Sequence, residues 1–292
     1  PTTFKRHASR RRREMISFGV LAIGLTAALL HATWNAMVKG ASDRALSIGL
    51  VSLGHFVPAL PFFLFLPAPD IAALPYIVAS TVIHWGYYFF LISAYKQGDL
   101  SVAYPIARGA APVLIALGAT IWPGEILSLM AWAGIIGVSC GVAILALSRA
   151  QAQSLKVLFP AFITALTVAA YSIVDGIGVR VSGAPLSYIA WLFTAEICVV
   201  LFVLLPRLKL IQNNGLKPVL IGFSGGVLSS LSYALALYAQ TLAPLALVAA
   251  IRETSVILAA IIGVIWFKER PIFMRLAAAF VVAIGVILIV LS

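Results

Sequence analysis

The strongest constraint on this chain is a segment that occurs twice. Arg108, Trp122, Glu125, Gly141 and Val142 recur as Arg252, Trp266, Glu269, Gly285 and Val286, each 144 positions later (252 − 108 = 144). Ala116/Ala260, Ile121/Ile265 and Ala133/Ala277 keep the same register, and Tyr95 and Gln97 match Tyr238 and Gln240 at an offset of 143. Each copy carries an arginine within an apolar run and a glutamate 17 residues on, at its far end. Charged residues make up only 10% of the chain, so their return in register marks an internal duplication.

Composition says where such a duplication can fold. The 292 residues are 62% hydrophobic with a mean hydropathy of +1.08, whereas soluble domains are about 25% charged and about 45–50% apolar. Ten apolar runs are expected as helices, over about 15–38, 45–66, 71–95, 101–121, 126–148, 156–180, 186–206, 218–241, 244–267 and 272–291. Pro67 and Pro69, Gln97-Gly98-Asp99 and Gln212-Asn213-Asn214-Gly215 punctuate them. No barrel-like alternation appears, which leaves helices as the spanning structure. The fold class expected is therefore an all-α polytopic membrane protein, with ten transmembrane helices as two inverted five-helix repeats. An odd number of spans per repeat turns the second upside-down relative to the first, the architecture of many secondary transporters. Residues 1–14 read as a basic tail, 15–148 as the first repeat, 149–155 as a linker and 156–292 as the second repeat.

The net charge of +11 does not imply a nucleic-acid partner. Six of the twenty Lys/Arg fall within Lys5–Arg13, and no basic stripe interleaved with aromatics exists. Cys140 and Cys198 lie inside apolar runs and imply no disulfide framework. Loops after odd-numbered runs carry most of the remaining cations and place both termini outside; the basic tail argues the reverse. Orientation stays open.

Ionisable residues within spans cost roughly 3 kcal/mol on insertion scales and usually face a cavity or a partner. Arg108, Glu196, Arg252, Glu253, Asp175, His31, His55 and His84 are the candidates. Tyr104 stands one turn before Arg108, and Pro112 removes the amide that would bond Arg108's carbonyl, so a broken helix beside that cation is expected. Glu253 adjoins Arg252 but cannot face it on one helix; a cross-helix Arg108–Glu253 pair is an alternative that makes one arginine structural. His31, Trp34 and Asn35 cluster on the first helix, His84, Tyr87 and Tyr88 on the third, Tyr171 and Asp175 on the sixth, and Tyr233 and Tyr238 on the eighth. Such aromatic stripes serve packing or binding; their recurrence on repeat-related helices points to a binding chamber. Glu196, Glu253 and Asp175 are candidates for proton coupling. His55 reads as a satisfied interior histidine. Glu125 and Glu269 read as structural, beside the N-terminus of the helix that follows each.

These residues carry a family likeness. The His31-Ala-Thr-Trp-Asn35…Lys39 opening, the Tyr104-Pro-Ile-Ala-Arg108 segment and the Trp-x-x-Glu ends before Gly-rich fifth and tenth helices resemble the drug/metabolite transporter superfamily, in its ten-helix members made of two EamA domains. The resemblance spans about Phe18–Leu291. It implies alternating access, a cavity lined by helices one, three, four, six, eight and nine, and fifth and tenth helices at the periphery, packed closely through Gly137 and Gly141. It also implies a small-molecule substrate without naming it, and a place in a bacterial inner (plasma) membrane. Pro67–Asp70 carries no cation, unlike the basic loop after the second helix in many members.

Rival readings are weaker. Gly222-Phe-Ser224-Gly-Gly226 matches Gly-x-Ser-x-Gly, but all four histidines precede the serine and no strand-to-helix turn is available, so an intramembrane hydrolase lacks its base and elbow. A channel needs a continuous polar lining that scattered groups do not supply. No metal-ligand spacing, cofactor motif or nucleotide-binding loop is present. The reading is a secondary transporter of a small polar metabolite, in which Arg108 or Arg252 receives an anionic group. It contacts membrane lipid, and it serves as a monomer or a homodimer.

Overall fold

In the computed structural model, the described residues are 17–38, 43–97, 100–147, 158–265 and 272–292; of these, the side chains of 91–107 and a few others lie outside the description. The basic tail, the linker at 149–155, Trp266 and Glu269 fall outside it as well. Among the described residues every regular element is helical.

The first five helices are α1 (Phe18–Val38), α2 (Arg44–Phe65), α3 (Leu74–Gln97), α4 (Leu100–Ile121) and α5 (Leu129–Leu147). Asp43 caps α2, its carboxylate accepting from the Leu46 amide at 2.8 Å. Asp70 caps the short 3-10 turn Ile71–Ala73 that leads into α3. After α6 (Leu158–Val181) the chain does not form one smooth seventh helix. It breaks into α7 (Pro185–Thr194), α8 (Ile197–Val199), a π-helical turn (Val200–Leu204), a 3-10 turn (Leu205–Arg207) and α9 (Leu208–Asn214). The long α10 (Leu216–Leu242) follows, then α11 (Leu245–Arg252), α12 (Ser255–Ile265) and α13 (Ile272–Val290).

Six segments among the described residues are long and apolar enough to cross a bilayer: Phe18–Val38, Ala45–Phe65, Ala161–Val181, Pro185–Ile211, Leu216–Leu242 and Ile272–Val290. Arg108–Ile121 and Leu129–Leu145 are shorter apolar helices. Large apolar side chains cover the outside, including Phe65, Phe89, Ile121 and Phe280, each at least 68% exposed. An apolar exterior of that kind is stable against lipid chains rather than water, so the chain is an integral, multi-pass membrane protein.

Small residues set the closest packings. α5 and α13 form the most extensive helix pair, and the backbones meet at Gly134 and Gly285, where a side-chain carbon added to either would fall within 2.7 Å of the other helix's backbone. The expected role of Gly137 and Gly141 is met in the same seam, Gly137 against Gly285 and Gly141 against Ala278 and Val282. α2 and α10 cross at Gly54 and Gly226, again backbone on backbone. The Gly-x-Ser-x-Gly stretch is thus part of a helix crossing, with Ser224 Oγ donating to its own helix at the Leu220 carbonyl, 2.5 Å away.

Two expectations about helix continuity change. α4 runs unbroken through Pro112; one missing amide removes a single ladder bond, which the flanking turns tolerate. The interruptions fall instead at Glu196 and Glu253. At the first, Glu196 N bonds Phe193 O (3.2 Å) and Val199 N bonds Glu196 O (2.9 Å). At the second, Glu253 N bonds Ala250 O (3.1 Å) and Val256 N bonds Glu253 O (2.9 Å). Both sites tighten the ladder to three-residue spacing, and both place a carboxylate at the distortion.

Candidate functional site

The site forms where α1, α3, α4, α6, α10 and the α11–α12 break converge. Its first component is an ion pair. Arg108 of α4 meets Glu253 with Nη2–Oε1 at 2.8 Å and Nε donating to Oε2 at 3.1 Å. Both side chains are about 95% buried, 6% and 5% exposed. A two-point guanidinium–carboxylate contact of this kind fixes orientation as well as charge. The cross-helix pair with Glu253, one of the alternatives the sequence left for Arg108, is present.

Arg252, one residue earlier, points elsewhere. Its guanidinium carbon lies 5.4 Å from the centre of the Tyr233 ring, within cation–π range. Among the described residues Arg252 forms no ion pair. The Tyr233 hydroxyl donates to Asp175 Oδ2 at 2.6 Å, and Tyr188 of α7 donates to Asp175 Oδ1 at 2.9 Å. Asp175 has no solvent exposure. A cation and a carboxylate therefore stand at the face and the hydroxyl of one tyrosine.

Aromatic rings complete this part. His84 stacks on Tyr171 with centroids 4.2 Å apart, Tyr171 meets Tyr233 edge-on at 5.9 Å, and Tyr87 meets Tyr171 edge-on at 5.8 Å. His84 Nδ1 is held by its own helix, 2.9 Å from the Ser80 carbonyl and 3.1 Å from Ser80 Oγ. A small cavity opens beside the ion pair, lined in part by Arg108, Ser172, Gln240, Arg252 and Glu253. Gln240 is 5% exposed and, among the described residues, its Oε1 has no hydrogen-bond partner.

Other expected members are placed differently. On α1, Trp34 Nε1 donates to His31 Nδ1 (3.3 Å) and Asn35 Nδ2 to the His31 carbonyl (2.7 Å), so that trio is bonded within one helix. Tyr88 turns away from Tyr233 and donates to Glu196 Oε1 at 3.1 Å, joined by Ser52 Oγ donating to Oε2 at 2.8 Å. Tyr238 is 42% exposed and outside the chamber. Tyr104 lies on α4, with its side chain outside the described residues. His55 is buried, as expected of an interior histidine, yet among the described residues neither ring nitrogen has a hydrogen-bond partner.

Glu125 is structural, but at a different helix from the one expected. Ser128 caps α5, accepting from the Ala131 amide at 3.0 Å. Glu125 instead accepts from the Leu245 and Ala246 amides at the start of α11, at 2.8 and 3.5 Å, and from Arg180 Nη1 at 3.1 Å. Arg180 also donates to the Gln240 and Ala243 carbonyls, each at 2.7 Å, closing α10 against α11. Ser52, Tyr188, Arg180 and Gln240 are thus site or support residues absent from the sequence-based candidates. Gln240 carried the one usable signal, as the repeat partner of Gln97. Among the described residues no group of three or more His, Cys, Asp or Glu could hold a metal ion.

The fold and this interior define a polytopic helical membrane protein with charged and aromatic groups gathered between its helices. Residues 155–291 match the EamA-like transporter family, so this part of the chain is similar to an EamA-like domain. One solved crystal structure of another protein superposes with a TM-score of 0.73 over 92% of this chain and 96% of that one, at 20% identity, a likeness of fold. No curated protein matches.

Proposed function

We propose that the chain is a secondary active transporter working by alternating access, with ten spans arranged as two inverted repeats over 15–148 and 156–292. The reciprocal pairing of α1 with α10 and of α3 with α6, around the α5–α13 seam, supports that arrangement. The cargo is a small polar metabolite with an anionic group, of amino-acid-like character.

One observation carries this reading. Glu253 is engaged by Arg108, which leaves Arg252 as the cation available beside Tyr233 and Asp175. A carboxylate or phosphate meets Arg252, while the rings of Tyr171, Tyr233 and His84 pack the apolar body of the cargo. Gln240 Oε1 accepts from a donor group such as an ammonium. The apolar surroundings strengthen each of these contacts relative to water. Opening and closing are assigned to the two distorted helices at Glu196 and Glu253, where the ladder already departs from regular spacing.

A thermal-shift screen of the purified protein against amino acids, organic acids, phosphorylated metabolites and quaternary amines tests the reading. Stabilisation by carboxylate- or phosphate-bearing compounds, lost in Arg252→Gln, supports it. Stabilisation by quaternary amines alone overturns the anionic assignment and moves attention to Asp175 and Glu253.

A further inference from the structure

We propose that Glu196, Ser52, Tyr88 and His55 form a second site, separate from the Arg252–Asp175 chamber, that binds and releases the coupling proton. The proposal deepens the transporter reading and rests on it for the word coupling, though not for the binding of the proton itself.

The geometry comes from two facing helix turns. Ser52 and His55 are one turn apart on α2; Phe193 is in the last turn of α7, and Glu196 stands three residues on, in the break before α8. Ser52 Oγ bonds Glu196 Oε2 at 2.8 Å, and the His55 ring lies 5.2 Å from the Phe193 ring. α2 and the end of α7 with the break after it therefore present a hydroxyl and an imidazole to a carboxylate and a phenyl in matched order.

Hydrogen-bond valence then separates two states. As a carboxylate, Glu196 is an acceptor only, and Ser52 and Tyr88 satisfy one oxygen each. When hydronium transfers a proton to one oxygen, an O–H bond forms, water leaves, and the carboxyl gains a donor. That donor needs an acceptor, and either hydroxyl accepts it only by turning its own O–H away from Glu196. A neutral imidazole always has one unprotonated ring nitrogen. His55 is 92% buried (8% exposed) on the adjoining turn, and neither nitrogen has a partner among the described residues; buried polar groups are seldom left so without reason. A direct contact or one bridging water completes the pair.

The surroundings fit a site distinct from the chamber yet in touch with it. Among residues with described side chains, the titratable and charged groups on elements packed against α7 are His55 on α2, Tyr76, His84, Tyr87 and Tyr88 on α3, Tyr171, Asp175 and Arg180 on α6, and Lys217, Tyr233 and Tyr238 on α10. Asp175 and Tyr233 bond each other, and Asp175 takes Tyr188 of α7. Tyr87 and Tyr88, with rings 5.5 Å apart, are neighbours that face the two sites, Tyr87 against Tyr171 and Tyr88 on Glu196. The tightened turn at Glu196 and the π-helical turn after it supply the element that a changed hydrogen bond can move.

Infrared difference spectra of the full chain in liposomes, recorded while pH is lowered and repeated in D2O, read the proton directly without any substrate. The expected result is a carboxylic-acid carbonyl band that disappears in Glu196→Gln, shifts in His55→Phe, and stays in Asp175→Asn. Absence of the band in the unmodified protein, its persistence in Glu196→Gln, or its indifference to His55→Phe overturns the proposal. Should Glu196→Gln fail to fold, Ser52→Ala serves instead: a shifted band supports the site and an unshifted one contradicts it. Failure of the transporter reading shows separately, as absence of solute exchange with the carboxyl band intact.

Discussion

Arg108 and Glu253 are 145 positions apart in sequence (253 − 108 = 145) and joined by two contacts, 2.8 Å and 3.1 Å, inside a membrane protein. The pair ties α4 to the break between α11 and α12. It also separates the two arginines of the repeated segment: Arg108 pairs with Glu253, and Arg252 is directed at Tyr233.

Breaking that pair from one side leaves a buried charge without its partner, which costs about 3–5 kcal/mol. Arg108→Gln and Glu253→Gln are each expected to lower the melting temperature and the yield of folded protein sharply. The double variant Arg108→Met with Glu253→Leu is expected to recover much of the loss. Melting curves in detergent for the three variants check this; a single variant as stable as the parent contradicts it.

Arg252→Gln has the opposite profile. The side chain is partly exposed and held by a ring face, worth about 0.5–2 kcal/mol, so melting temperature changes little. Affinity for an anionic ligand falls roughly tenfold or more, because about 1.4 kcal/mol of lost contact is a factor of ten. Isothermal titration with the best compound of the screen reads the two effects apart.

Tyr233→Phe removes the 2.6 Å bond to Asp175 and keeps the ring under Arg252. The expected cost is about 1–3 kcal/mol of stability, from a buried carboxylate short of one donor. Tyr188→Phe removes a second donor and is expected to cost a similar amount. Denaturation of both variants and of the pair tests whether Asp175 is the shared centre: a double variant whose loss is the plain sum contradicts it.

The glycine seams make a structural prediction. Gly285→Leu drives a side chain into the backbone of α5 at Gly134 and Val138, and overpacking of this kind costs typically about 1–3 kcal/mol. Gly86→Ala, where an added carbon meets nothing within 4 Å, is the matched control and is expected to be silent in the same melting assay.

The all-helical membrane architecture was legible because membrane helices announce themselves by apolar runs and punctuation, within which a polar residue stands out. The candidate chamber was partly legible for the same reason: His84, Tyr171, Asp175, Tyr233 and Arg252 do come together. Partners across helices were not. That Tyr88 bonds Glu196 while its neighbour Tyr87 faces Tyr171 depends on helix rotation, which one helix's periodicity does not encode. The break expected at Pro112 failed because proline's local cost is small where neighbouring helices hold both sides. The breaks at Glu196 and Glu253 carry neither proline nor glycine and left no sequence mark. Sequence alone sets Glu125 beside the helix that follows it, whereas the amides it meets belong to α11, 120 positions on (245 − 125 = 120).

Solute exchange in proteoliposomes tests the central claim most directly. Vesicles holding the purified chain are loaded with an unlabelled mixture of L-amino acids and placed in a trace of the labelled mixture. Transient accumulation of label above the level in empty vesicles, abolished in Arg252→Gln while that variant remains folded, is the predicted result. Label that enters no faster than into empty vesicles, or that enters Arg252→Gln at the parental rate, contradicts the assignment of Arg252 to the cargo.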